Sequence, residues 1–204
     1  MMNNLYKLTK SDIERSTEVS ARAFYDYPMM KHIFGDRHTL KNVKIVQHFL
    51  ITYGVLYGEA YASSQNMEGI ILFTDFEKYN VSFYRSLRCG ILSLIELARN
   101  GGREIGMRFN EFDRFTLMKH KELIKEPHQY LMLIGVDPER QGQGFGSKML
   151  RPLLQLAQEN GQPVYTETHG EKNVSMYKKY GFQIVSEDIV PGSDIMQYSL
   201  IKYI

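Results

Sequence analysis

The chain has 204 residues, 43% of them hydrophobic and 24% charged, which predicts a folded globular protein of one domain. Its 25 basic and 23 acidic residues leave a formal net charge of +2, which argues against nucleic-acid or membrane partners. Cys89 is the only cysteine, which rules out an intrachain disulfide framework and a cysteine-cluster zinc site. Residues 1–10 lack the apolar core of a signal peptide, and no apolar stretch is long enough to span a membrane, so we expect a cytoplasmic protein.

The first half of the chain is predicted to be mostly helical. After a short opening strand at 5–8, Ser11 stands three residues before Glu14, the spacing of a capping box that begins a helix. Apolar residues then recur at three- and four-residue steps, as is typical of helices with one buried face. The predicted elements are helices at 11–24, 29–34, 40–57, 81–99 (ended by Asn100-Gly101-Gly102) and 103–127, and a buried strand at 69–73.

The second half alternates between strands and helices. Strands are predicted at 130–136, 164–168, 182–190 and 195–203, with helices at 144–160 and 173–180 between them. This order predicts an α/β (α+β) fold whose mixed sheet has a parallel pair of strands at its centre. No repeat, low-complexity segment or Pro/Gly/Ser-rich linker divides the chain, so we expect a single domain over 1–204.

The segment Gln141-Gly142-Gln143-Gly144-Phe145-Gly146 lies between a predicted strand and a predicted helix. Three glycines let the backbone approach a ligand closely, and amides at a helix N-terminus favour an anion. The order Gly146-Ser147-Lys148 does not fit a P-loop, and Ser147 stands where the dinucleotide-binding fingerprint needs glycine. The segment fits Q-x-x-G-x-G and predicts a pyrophosphate-binding loop, the alternative being a plain strand-to-helix turn.

The region from His128 to about Pro191 resembles the GNAT-superfamily N-acetyltransferases, and within them the branch of puromycin N-acetyltransferases. The matching residues are Gly135-Val136-x-Pro138, Gln141-Gly142-x-Gly144-x-Gly146-Ser147, Pro152, Gly161-x-Pro163, Glu167-Thr168, Asn173, Tyr177 and Gly181-Phe182. Gln141 departs from the family pattern, where arginine is commoner, and Phe73 stands where this branch often has tryptophan. The resemblance implies the GNAT fold, in which the central parallel strands splay apart and helices flank the sheet.

The resemblance also implies acetyl-CoA as the acyl donor. The free edge of the strand before the Gly-rich loop would pair with the pantetheine arm, and the loop amides would bind the pyrophosphate. The cofactor-binding residues implied in this way are Ile134, Gly135, Val136, Gln141, Gly142, Gln143, Gly144, Phe145, Gly146, Ser147, Asn173 and Tyr177. We expect no metal, because the histidines show no ligand-like spacing.

Two catalytic residues are expected. Tyr177 would lie near the sulfur of the donor and, with an ordinary pKa of about 10, would carry a proton to give to the departing thiolate. Glu167 is the first candidate for the base that takes a proton from the amine, and His128 is the second. The alternatives are structural: Tyr177 packed in the core, Glu167 shaping the next loop, and His128 as a core histidine, while His169 is expected at the surface.

Together these residues predict transfer of an acetyl group from acetyl-CoA to the amine of a small molecule. Residues 1–127 would form a helix-rich acceptor side and 128–204 the acetyl-CoA-binding core, with 25–28 and 83–84 as candidate acceptor-pocket segments. The alternatives are a protein or peptide N-acetyltransferase and a non-catalytic acyl-CoA sensor. A homodimer through the final strand is a further possibility.

Overall fold

A computed structural model describes residues 2–100 and 103–204. Eight α-helices and seven strands are formed within those ranges. The strands are β1 (Tyr6–Lys7), β2 (Glu59–Ala62), β3 (Gly69–Asp75), β4 (Gln129–Val136), β5 (Val164–Thr168), β6 (Gln183–Ile189) and β7 (Met196–Lys202). The helices are α1 (Ile13–Phe24), α2 (Pro28–Phe34), α3 (Leu40–Tyr57), α4 (Phe83–Arg88), α5 (Ile91–Asn100), α6 (Arg103–Leu123), α7 (Phe145–Glu159) and α8 (Glu171–Lys179).

All seven strands form one sheet in the order β1-β2-β3-β4-β5-β7-β6. β3 lies inside it and is buried on both faces, as its continuous apolar run predicts. Because successive side chains of a strand point to opposite faces, Ile71 and Phe73 pack with α7, whereas Ile70 and Leu72 pack with α1 and α3. The sheet is thus covered by helices on both sides.

β4 and β5 are the parallel pair, and they separate soon after they begin. Their register joins only Gln129 to Val164 and Tyr130 to Tyr165. Beyond that register, side chains bridge the widening gap: the Thr166 hydroxyl donates to the Leu131 carbonyl at 3.0 Å, and the Tyr130 hydroxyl donates to the Glu167 carboxylate. On the other side β4 stays paired with β3 as far as Val136. The predicted mixed sheet with a splayed parallel pair is therefore confirmed.

Several predicted boundaries were wrong. The capping box before α1 is made by Thr9 and Asp12, not by Ser11 and Glu14: the Thr9 amide donates to Asp12 Oδ2 at 2.8 Å. The helix predicted over 81–99 is interrupted at Gly90, whose φ of +90° separates α4 from α5. The helix predicted over 103–127 ends at Leu123, and α8 begins at Glu171, two residues before the predicted start.

β2 was not predicted, because four residues are too short for a strand pattern to stand out. It is held by its antiparallel pairing with β3 and β1. Gly101 and Gly102, which were expected to end a helix, lie outside the described residues. Among the helices in the described ranges, none is both long and apolar enough to cross a membrane.

The helices α2, α5 and α6 form a layer of their own beside the splayed strands. Their apolar side chains share a core with α1 and α3, in which Met29, Ile33, Val43 and Ile105 are buried. Side chains on α6, including Phe109 and others of the same helix, line a cavity in front of β4 and β5. The helical layer therefore covers the opening that the diverging strands leave.

Candidate functional site

The gap between β4 and β5 opens into a groove of about 1100 Å³. Its walls are the end of α1, the C-terminal part of β4, the Gly-rich loop and α8. Of the residues predicted to bind the cofactor, the groove is lined by Ile134, Gly135, Val136, Gln141, Gly142, Gly144, Phe145, Gly146, Ser147, Asn173 and Tyr177. Gln143 does not line it, and its side-chain amide donates to the Glu139 carbonyl at 3.4 Å instead.

The Gly-rich loop has the backbone geometry that glycine allows. Gly142 and Gly144 have φ values of +78° and +85°, in the left-handed region that favours glycine. A Cβ at either position would meet no atom within 4 Å, so the glycines are required by backbone conformation and not by lack of space. Gly144 is also the N-cap of α7, which therefore begins without a side-chain cap.

The amides of this loop are free to bind a ligand. Within the described ranges, none of the backbone N–H groups from 142 to 147 donates to a protein acceptor. The first amides of a helix have no intrahelical partner, and the helix dipole gives them a partial positive charge. Arg140, Arg151, Lys172 and Lys179 add basic side chains to the groove wall. The residues present therefore fit a pyrophosphate group.

A smaller chamber of about 300 Å³ continues from the groove toward α6. The two cavities share Phe24, Tyr27, Ile134, Asn173 and Tyr177, which mark where they meet. Most of the chamber wall is apolar or aromatic, and its aromatic side chains are Phe24, Tyr27, Phe49, Tyr79, Phe109, Phe112, Tyr130 and Tyr177. The chamber lining also includes two acidic side chains, Asp113 and Glu167.

Glu167 lies near the end of β5, where the strand has left β4. Its Oε1 accepts a hydrogen bond from the Tyr130 hydroxyl, whereas its Oε2 is buried and has no hydrogen-bond partner among the described residues. Burial raises the pKa of this carboxyl to about 7, against the opposing effect of the Tyr130 hydrogen bond. A carboxyl group with such a pKa can accept a proton near neutral pH.

Tyr177 projects from α8 to the junction of groove and chamber. Its side chain is buried, with the ring centroid 5.2 Å from that of Phe182. Burial raises the pKa of its phenol well above the ordinary value, so the hydroxyl keeps its proton at neutral pH. Asn173, one turn earlier on the helix, donates from Nδ2 to the Thr168 hydroxyl at 3.0 Å.

His169 was expected at the surface, and that expectation was wrong. It is buried beside Tyr27, whose hydroxyl lies 3.0 Å from His169 Nδ1 and accepts from the His169 amide at 3.1 Å. Burial lowers the pKa of this histidine to about 4, which keeps the ring neutral, and raises the pKa of Tyr27 to about 12. The ring of Phe112 on α6 also packs against it, with centroids 5.4 Å apart.

Of the two acceptor-pocket segments proposed from the sequence, one lines the cavities and the other does not. Tyr27 from the segment 25–28 lines both cavities, whereas Phe83 and Tyr84 are exposed and do not line the chamber. No local signal marked His169, because the residues that bury it come from the turn between α1 and α2, from α6 and from β7.

His128, the second candidate base, lies away from both cavities. Its Nε2 is 2.7 Å from Nε2 of His120, and its Nδ1 is 2.6 Å from the Glu126 carbonyl. Its ring stacks on Phe76 with centroids 4.8 Å apart. These contacts assign it a place in the core. Across the described ranges, no three His, Cys, Asp or Glu side chains are grouped as metal ligands.

Comparisons with known proteins agree with this architecture. A model of the acetyltransferase (GNAT) domain matches residues 95–184 of the chain. An uncharacterized N-acetyltransferase of Schizosaccharomyces pombe is 23% identical over 181 residues, which cover 86% of this chain and 72% of that protein. The N-alpha-acetyltransferase RimI of Mycobacterium tuberculosis is 42% identical over 62 residues, or 29% of this chain and 38% of that protein.

Solved structures support the fold. The crystal structure described as histone acetyltransferase HPA2 and related acetyltransferase, from Corynebacterium glutamicum, superposes with a TM-score of 0.63 and 16% identity. The superposition covers 98% of this chain and 95% of that one. The domain match over 95–184 and the fission-yeast relative make this chain similar to acetyltransferases of the GNAT type, which are transferase enzymes, and the solved structure shows the same fold.

Proposed function

We propose that this chain transfers an acetyl group from acetyl-CoA to the amine of a small molecule that enters the aromatic chamber. The observation that carries the proposal is the carboxylate of Glu167, which has one buried, unpartnered oxygen and lines a largely apolar cavity. That cavity meets the groove at Tyr177. The likeness to the puromycin N-acetyltransferase branch belongs to the same proposal, because it also implies a small acceptor.

The groove would hold the donor through the chain's own backbone. The free amides from 142 to 147 would bind the pyrophosphate, and the unpaired edge of β4 at 134–136 would bind the pantetheine arm. Asn173 and Tyr177 would contact the donor from α8 on the opposite wall. We propose a single domain in which 128–204 bind the donor and 1–127 supply most of the acceptor side.

The donor supplies an activated thioester carbon, and two side chains manage the protons. Glu167 would take a proton from the attacking amine, so that the new C–N bond forms with a neutral nitrogen. Tyr177 would give its proton to the sulfur as the C–S bond breaks, leaving free coenzyme A. Exchange with solvent would then return both side chains to their starting states.

The test is a thiol-release assay with acetyl-CoA over panels of small aromatic and aliphatic amines and of short peptides with free N-termini. Turnover of small amines with little turnover of peptides is expected, because the chamber is small and walled by α6. Calorimetric titration with acetyl-CoA measures donor binding separately. Tight donor binding without turnover of any acceptor would favour the acyl-CoA sensor.

Peptide acetylation is the second candidate function. It is favoured by one observation, the 42% identity over 62 residues with a relative named as an N-alpha-acetyltransferase. That match covers less than a third of the chain, so it leaves most of the chamber wall outside the comparison. Peptide turnover exceeding that of every small amine would replace our proposal with this one.

A further inference from the structure

The hydroxyl of Tyr130 contacts the candidate base, and the chemistry above gives this contact no role. Tyr130 lies near the start of β4, and Glu167 lies near the end of β5. The last registered pair of the two strands joins Tyr130 to Tyr165, and Glu167 follows Tyr165 by two residues, so the three side chains lie on one face of the sheet. The Tyr130 hydroxyl donates to Oε1 of Glu167 at the point where the backbone pairing of the strands has ended.

The ring of Tyr130 is held on several sides. It is buried, and the edge-on rings of His120 and Tyr79 lie 4.5 Å and 5.5 Å from it between centroids. The ring of Tyr165 lies 6.1 Å away on the neighbouring strand. Closely packed aromatic side chains have little freedom to move, so the hydroxyl is in place before any substrate binds.

This contact makes the two carboxylate oxygens of Glu167 different. Oε1 accepts from Tyr130, whereas Oε2 is buried and faces no donor. In the part of the chain that the structure describes, no other hydrogen-bond donor and no basic side chain reaches this carboxylate. One oxygen is therefore held by the protein, and the other is left for a ligand.

We infer that Tyr130 is a positioning residue: its hydroxyl holds Oε1 of Glu167, which leaves Oε2 as the atom that receives the proton of the acceptor amine. The inference rests on the proposed function, in which Glu167 is the base. A hydrogen bond to a carboxylate favours its charged form, so the same contact keeps Glu167 basic at a lower pH than burial alone would allow. Tyr130 keeps its own proton, because burial and the nearby carboxylate raise the pKa of its phenol well above the usual value.

Other titratable side chains surround Glu167 on the elements packed around it. Burial raises the pKa of four phenols, which stay protonated, and lowers the pKa of two imidazoles, which stay neutral: Tyr27, Tyr79, Tyr165, Tyr177, His120 and His169. Asp113 of α6 lines the chamber from an exposed position. All of these groups stay in place when only the Tyr130 hydroxyl is removed, so a change in the pH profile then reports on its contact with Glu167.

Tyr130→Phe removes the hydroxyl and keeps the ring. The measurement is kcat/KM for a small amine as a function of pH, by thiol release, with an amine whose own pKa lies far from 7. We expect the pH at which kcat/KM reaches half of its plateau to rise by about one unit, the shift that loss of a hydrogen bond to a charged group produces. KM for acetyl-CoA should stay unchanged.

Tyr165→Phe is the matched control. It removes the hydroxyl of a buried tyrosine in the same cluster of side chains, one that donates to Ser199 at 3.2 Å and not to Glu167. This variant should keep the wild-type pH of half-maximal kcat/KM. Replacement of Tyr130 by 3-fluorotyrosine is a second variant that keeps both ring and hydroxyl. Its phenol is a stronger hydrogen-bond donor, so the half-maximal pH should fall.

A double variant separates positioning from a structural role. Because Tyr130 is inferred to act through the Glu167 carboxylate, adding Tyr130→Phe to Glu167→Gln should change kcat/KM by less than about two-fold. An unmoved half-maximal pH in Tyr130→Phe, an equal shift in Tyr165→Phe, or an equal loss of kcat/KM with and without the Glu167 carboxylate would overturn the inference while the proposed function stood. Absence of turnover with every amine would overturn both.

Discussion

The carboxyl of Glu167 combines burial, one hydrogen-bond donor and one unpartnered oxygen. Because its pKa is raised to about 7, the basic form becomes dominant only above neutral pH. We expect kcat/KM for the amine to rise with pH through about 7 and then to level. Glu167→Gln should lower kcat/KM by about 10²-fold or more and abolish the rise of kcat/KM near pH 7. The pH profile is measured with an acceptor whose own pKa lies far from 7.

Glu111→Gln provides the comparison for loss of one carboxylate, because Glu111 is exposed on α6 and lines neither cavity, and it should leave the profile unchanged. A Glu167→Gln variant whose kcat/KM still rose with pH near 7 would show that another group accepts the proton.

Tyr177 is predicted to act on turnover more than on binding. Tyr177→Phe keeps the buried ring and its packing on Phe182 but removes the proton that the thiolate needs. We expect kcat to fall by about 10²–10⁴-fold, with KM for acetyl-CoA changed only slightly. Steady-state kinetics with varied acetyl-CoA measures both quantities. Tyr84→Phe removes the same hydroxyl from an exposed side chain and should have no effect, whereas equal turnover in both variants would deny Tyr177 its role.

The loop before α7 allows a test at the scale of an element. Gly144→Ala places a Cβ on a residue with a φ of +85°, which costs about 1–2 kcal/mol and shifts the loop toward other conformations. Since the free amides must converge to bind pyrophosphate, we expect acetyl-CoA affinity to fall by about ten-fold or more. Isothermal titration calorimetry measures the affinity.

Gly161→Ala is the matched control for that loop variant. Gly161 has a φ of +66° and no atom within 4 Å of an added Cβ, but it follows the C-terminus of α7 and does not line the groove. It should lower stability by a similar amount and leave the affinity for acetyl-CoA unchanged. Similar losses of affinity in both variants would mean that strain alone, and not loop geometry, weakens binding.

The elements that local patterns define were predictable from the sequence. The apolar runs of β3 and β4 each mark a strand, buried over nearly its whole length in β3 and over its first half in β4. The glycines before α7 mark a turn with left-handed residues. The splay of β4 from β5 was implied by a resemblance of motifs and not by any pattern of hydrophobicity. The residues of those motifs therefore predicted most of the lining of the groove.

The surroundings of the smaller chamber could not be predicted in this way. β2 exists through its pairing with β3, and the burial of His169 depends on Tyr27, Phe112 and Gln197, which are far away in the sequence. Tertiary contacts between distant segments create these features.

Three buried histidines connect distant parts of the molecule. His120 near the end of α6 stacks on Tyr165 of β5 at 3.9 Å between centroids, and it contacts His128 just before β4. His169 follows β5 and lies 3.3 Å from Gln197 of β7. Burial lowers the pKa of all three, to about 3 for His120 and about 4 for His169. These three neutral imidazole rings thus lie in the contacts between the helical layer and the sheet.

This arrangement predicts how stability depends on pH. An unfolded histidine has a pKa near 6.5, so as the pH falls below that value the unfolded chain binds protons that the folded chain does not. The free energy of unfolding should therefore decrease by on the order of a few kcal/mol between pH 6.5 and 4. Glu167 opposes this trend between about pH 7 and 4.5, because its raised pKa makes the folded chain bind a proton first. Urea unfolding at a series of pH values measures the net slope.

His120→Phe isolates the largest contribution to that slope. The substitution keeps an aromatic ring between Phe76 and Tyr165 but removes the contact with His128, so we expect a loss of about 1 kcal/mol at pH 7. Because one buried imidazole is gone, the decrease in unfolding free energy between pH 6.5 and 4 should become clearly smaller. His48→Phe makes the same exchange at a partly exposed histidine outside this cluster and should keep the wild-type slope. An unchanged slope in His120→Phe would mean that the acid sensitivity of the fold arises elsewhere than in the contact between His120 and His128.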